Sequence, residues 1–135
     1  MKRVTLLAAG ITMGGLALAD SVVGVDEIIC AAGQVQICIE QDTCYATSAA
    51  DLDVPDFVLI DTKKGTISTT KASGLNRSTE FTKSERKNGL IHLQGVEGGR
   101  AFSFVIHEET GRMTAAIARD GLSVTVFGAC TASTL

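Results

Sequence analysis

Four cysteines, two histidines and a scatter of turn-placed carboxylates are the residues of this chain with chemistry to offer. Cys30, Cys38, Cys44 and Cys130 are separated by eight, six and eighty-six positions. That spacing contains no CxxC pair, and no histidine lies near the first three, so a zinc site is a poor fit. An even set in a short chain reads instead as two disulfides formed in an oxidising compartment. Three connectivities are open. A tight hairpin centred on Gln41 would set Cys38 opposite Cys44, and Cys30 would then tie the amino-terminal segment to Cys130. The rival pairing joins Cys30 with Cys38 and Cys44 with Cys130. In either case one bridge closes a long loop, which restricts the unfolded chain.

The remaining candidates are isolated. His92 stands in "LIHLQG" and His107 in "FVIHEE". A catalytic base or a metal site needs convergent partners, and counting by twos puts His107 on the face opposite Phe102, Phe104 and Ile106. Both histidines read as solvated strand residues. Glu108 and Glu109 belong to the turn "EETG". Asp61 precedes "TKKG", where a carboxylate accepts backbone bonds. "GVEGGR" lacks the Lys-Ser/Thr of a phosphate loop. There is no GxSxG, and Ser103 falls mid-strand between two phenylalanines. The pattern yields no catalytic residue, no cofactor site and no metal site.

The elements that would position these residues are strands. Phe102, Phe104 and Ile106 alternate with Ser103, Val105 and His107; Met113, Ala115 and Ile117 alternate with Thr114, Ala116 and Ala118; Leu122, Val124 and Val126 alternate with Ser123, Thr125 and Phe127. A period of two marks strands with one face in a core. "EETG" and "RDG" place glycine where a hairpin turn needs a positive backbone angle. Upstream, "PDFVLID" turns through "TKKG" into "TISTTK", and "STEFTKSER" turns through "KNG" into "LIHLQGV". "YATSAADLDV", Tyr45 to Val54, is the one place for a short helical turn or a loop, and Pro55 should open a strand at an edge or bend. The expected fold is all-β: an antiparallel up-and-down meander of seven or eight strands closing into a small, disulfide-stapled barrel. An open bent sheet is the alternative.

Residues 1–19 read as an export signal. Lys2 and Arg3 lead into the apolar run Val4 to Leu16, and Ala17-Leu18-Ala19 supplies a cleavage pattern before Asp20. Residues 20–135 then form a single domain, periplasmic or secreted, with no transmembrane segment after cleavage. Removing Lys2 and Arg3 leaves ten basic against fifteen acidic side chains, a balance that argues against a nucleic-acid partner. Asp20 to Asp61 holds nine acidic residues and no basic one, whereas Lys63 to Lys87 holds seven basic residues against Glu80 and Glu85. The two parts either face each other or simply solvate the domain, or they leave Lys63, Lys64, Lys83, Arg86 and Lys87 as a face for an anionic partner.

The stretch "PDFVLID…GLIHLQGVEGGRAFSFVIHEETGRMTAAIARDGLSVTVFGAC" resembles small exported proteins of proteobacteria that carry an "lqG", an aromatic-rich strand, a "TG-x-(Leu/Met)-T" hairpin and a terminal "GaC". The resemblance covers most of the mature chain. It implies an extracytoplasmic β-domain and no activity. With two isolated histidines and no nucleophile motif, the function expected is an exported non-enzymatic binding module whose partner is an envelope component, a small apolar ligand or a protein. The alternative is a small extracytoplasmic enzyme assembled around residues such as His92 and Asp61.

Overall fold

A computed structural model describes residues 20–133. The expected signal, residues 1–19, lies outside the described residues. Ten strands follow one another: β1 (Glu27–Ile39), β2 (Cys44–Thr47), β3 (Phe57–Asp61), β4 (Thr66–Thr69), β5 (Ser78–Glu80), β6 (Lys83–Lys87), β7 (Leu90–Glu97), β8 (Arg100–His107), β9 (Arg112–Arg119) and β10 (Leu122–Ala132). Single 3-10 turns occupy Ala50–Leu52 and Lys71–Ser73. All pairings are antiparallel, in the order β5-β4-β3-β1-β10-β9-β8-β7-β6, with β2 on the flank of β1.

The edge strands β5 and β6 are separated only by Phe81 and Thr82. A two-residue link spans no more than about 10 Å, so the two edges of the sheet are drawn together at this corner. Phe81 N donates to Gly65 O beside β4, and Thr82 N donates to Gln94 O on β7. The segment expected as one strand, "STEFTKSER", thus serves two neighbours, and the sheet curls into a barrel-like form. Counting β5 and β6 as one bent stave, and setting β2 aside, the ring has eight staves. The turns follow their glycines: Gly111 and Gly121 have φ of 68° and 73°.

The longest strand, β1, pairs along its whole length with β10. Its other side pairs with β3 over residues 27–31 and with β2 over residues 35–38. A β-bulge at Gly33 inserts one residue between Ala32 and Gln34. Before it, Ile28 and Cys30 face inward; after it, Val35 and Ile37 do, so the extra residue keeps both halves apolar side in. The core these strands enclose includes Ile60, Ile91, Leu93, Ile106, Met113, Ala115, Val124 and Val126. Each large aliphatic buried here contributes up to about 1.5–3 kcal/mol.

Both disulfides are direct cross-strand bridges. Cys30 faces Cys130 across β1 and β10, and Cys38 faces Cys44 across the hairpin of β1 and β2. That hairpin turns through Gln41, whose φ is 60°, with Asp42 N donating to Ile39 O. Four paired cysteines with no free thiol fit an oxidising, extracytoplasmic compartment. No helix among the described residues is long and apolar enough to cross a membrane.

Candidate functional site

The ladder that closes the barrel is incomplete. β7 runs from Leu90 to Glu97, but β6 covers it only as far as Gln94, and Thr82 adds one bond there. On the other side of the gap, β5 pairs with β4 alone. Between the free edge of β5 and the free edge of Gly95–Glu97 the seam therefore stands open. A slot of about 100 Å³ enters here. Val54, Pro55, Val58 and Ile67 form one wall, and Phe102, Phe104 and Ile117 form the other. A smaller void of about 40 Å³ continues the apolar lining towards Cys30, Met113, Ala115 and Val126, sharing Val58, Phe104 and Ile117 with the slot.

The aromatic wall is set by glycine. Gly95 on β7 lies opposite Phe102 on β8, both on the inward face. A Cβ on Gly95 would collide with the Cζ end of the Phe102 ring, so glycine leaves the room that lets the ring pack against β7. Phe102 then meets Phe104 edge-on at 5.9 Å between centroids and Phe81 at 6.3 Å. Phe81 is the corner residue, so the aromatic cluster fastens the corner beside which the slot opens.

The rim is charged. Inward alternation on β8 runs Ile106, Phe104, Phe102 and then Arg100, which brings a guanidinium to the mouth. Its Nε is buried without a hydrogen-bond partner. Arg77 lies on the facing side and donates from Nη1 to Asp53 O at 3.3 Å. Glu97 completes the rim, yet no ion pair within 4.0 Å joins it to either arginine among the described residues.

The cations expected to share one face are divided by the same alternation. Arg86 pairs with buried Ile91, so it lies on the inner side of β6, whereas Lys83 and Lys87 pair with Gln94 and Leu90 on the outer side. Arg86 closes the end of the barrel. Its Nε approaches Glu108 Oε1 at 3.1 Å and its Nη1 approaches Asp26 Oδ1 at 3.8 Å, while Nη2 donates to the carbonyls of Val22 and Val25. These bonds hold the segment before β1 across the opening, with Val22 fully buried as the plug and its N–H donating to Glu108 O at 2.7 Å. Glu108, assigned from the sequence to a turn, is part of this clamp, with its side chain 15% exposed. Lys63 stands 3.9 Å from Asp26, so the acidic amino-terminal part and the basic part do face each other at this point. Lys64, Lys83 and Lys87 make no ion pair among the described residues.

The other candidates fall into turns or onto the outer face. Asp61 Oδ1 accepts from the N–H groups of Lys63 and Lys64 at 3.0 and 2.9 Å. His107 Nδ1 is 3.1 Å from Thr110 Oγ1, inside the "EETG" turn. His92 stands between buried Ile91 and Leu93 and so on the outer face, but its Nδ1 is buried and unpartnered, so it is not the solvated residue expected. β3, which carries Asp61, and β7, which carries His92, are not neighbours in the sheet, so the two are not brought together. No group of three His, Cys, Asp or Glu side chains able to hold a metal occurs among the described residues.

Fold and slot together define a disulfide-stapled, barrel-like antiparallel β-domain with an apolar recess at its seam. No family model, curated protein or solved structure matches the chain.

Proposed function

We propose that the chain is an exported, non-enzymatic binding module that holds a small, mainly apolar ligand in the slot at the barrel seam. The observation that carries this reading is the slot itself: an apolar recess walled by Val58, Ile67, Phe102, Phe104 and Ile117 that opens to solvent where the ladder stops. Its volume of about 100 Å³ suits a compact group, since a cavity of roughly 150 Å³ lined by apolar side chains takes up benzene. The "MKR" start, the "ALA" cleavage pattern and the two disulfides support a periplasmic or secreted location. Membership of the small exported β-domain proteins of proteobacteria belongs to the same proposal. Lys64, Lys83 and Lys87 remain available to an anionic envelope component.

Titration of the mature protein with hexanol, followed by amide chemical shifts, tests the binding site. Shifts should cluster on Val58, Ile67, Phe102 and Ile117, and Val58→Phe should remove them by filling the recess. Shifts confined to the outer face, or none at saturating hexanol, would sink the proposal. Intact-mass measurement of protein recovered from outside the cytoplasm tests export, with a first residue of Asp20 expected and a retained Met1 counting against it.

A further inference from the structure

We infer that the ligand of the slot is an anion, a monocarboxylate with a short apolar tail, and that Arg100 is the residue that binds its head. This deepens the proposed binding role and rests on it.

The starting point is an unsatisfied cation. Arg100 Nε is buried with no partner, and the guanidinium has no carboxylate within 4.0 Å among the described residues. Arg100 lines the mouth of the slot and no carboxylate of the described residues engages it, so its guanidinium is free to pair with an acidic group that enters the recess. Contrast Arg86, which spends its donors on Glu108, Asp26 and two carbonyls. The same residue type in the same domain is fully used where its role is structural.

The surroundings select the anion further. Arg77 adds a second guanidinium to the rim, against the single carboxylate of Glu97, so the mouth carries a net positive charge. A planar guanidinium fork matches a carboxylate in a bidentate pair. Behind it, Phe102 and Phe104 continue directly inward from Arg100 along β8, so a tail attached to a carboxylate held at Arg100 would lie along the aromatic wall. The recess, at about 100 Å³, restricts the tail to a short one. Glu97 repels such a head and so weakens its binding, which gives a second handle on the same contact.

Calorimetric titration of the mature, oxidised protein with hexanoate, hexanol and hexylamine tests the inference. Hexanoate should bind tighter than hexanol, and hexylamine weakest. Arg100→Gln should weaken hexanoate roughly 10- to 100-fold, to the level of hexanol, while leaving hexanol unchanged. Glu97→Gln should tighten hexanoate and leave hexanol unchanged, and this arm decides the matter if Arg100→Gln does not fold. Equal affinity of the native protein for hexanoate and hexanol, or indifference of hexanoate to the rim variant that folds, would overturn the anionic head while leaving the apolar slot standing. Failure of all three ligands to bind would overturn both readings.

Discussion

Gly95 and Phe102 face each other across β7 and β8, and the Phe102 ring occupies the space that a Cβ on Gly95 would need. The absence of one methyl group thus shapes the aromatic wall of the slot. Gly95→Ala should push the ring off β7, disturb its edge contacts with Phe81 and Phe104, and destabilise the domain by about 1–3 kcal/mol through overpacking. Urea unfolding measures the loss. Adding Phe102→Leu should recover part of it, and a Gly95→Ala protein as stable as the native one would contradict the close contact.

A second expectation concerns the plug. Arg86 reaches Glu108, Asp26 and the carbonyls of Val22 and Val25 from a side chain only 28% exposed. Arg86→Met removes these bonds and leaves the Glu108 carboxylate half-buried without its partner, for a cost of about 1–3 kcal/mol. Hydrogen exchange should show the amides of Val22 and Val25 losing protection while Ile91 and Ile106 keep theirs. Equal exchange in both proteins would mean that Val22 is held by burial alone.

The bridges should be unequal. Cys30–Cys130 closes a loop of sequence separation 100, and Cys38–Cys44 one of 6. In the chain-entropy model these are worth about 4.7 and 2.4 kcal/mol respectively. Paired replacement by alanine, Cys30→Ala with Cys130→Ala against Cys38→Ala with Cys44→Ala, should give the larger drop in urea midpoint for the first pair. The reverse order would show that the Cys38–Cys44 hairpin matters to the native state beyond its loop.

Surface lysines should behave differently from Arg86. Lys64, Lys83 and Lys87 form no ion pair among the described residues and line no part of the seam slot. Changing all three to glutamate should move stability by no more than about 0.5 kcal/mol per site and leave hexanol binding unaltered. A collapse of the melting transition in that triple variant would reveal a structural role for these lysines.

The fold was legible wherever the period of two ran unbroken. β8, β9 and β10 read directly from Phe102 to Val126, and the turns at Gly111 and Gly121 follow from residues that tolerate positive φ. A hairpin of Cys38 and Cys44 about Gln41 was one of the pairings left open by the sequence, and the register of β1 on β2 selects it. β1 was not legible. Its inward residues shift from even to odd numbers at the Gly33 bulge, which erases the alternation over the longest strand in the domain. β2 was hidden for another reason: at four residues it is too short to display a period.

What the sequence determined by itself is local and covalent: strand faces, turn positions, an even set of cysteines, an acidic part followed by a basic one. Which cysteine meets which, and which charge meets which, depended on strands far apart in the chain lying side by side, as β1 and β10 do. The slot belongs wholly to the tertiary structure. It exists because β5 and β6 part at Phe81 and cover unequal lengths of β4 and β7, so that Arg77 and Arg100 are brought to one opening by the curl of the sheet. Alternation along one strand assigns Arg100 to a face; only closure of the barrel gives that face an interior and leaves its Nε buried without a partner.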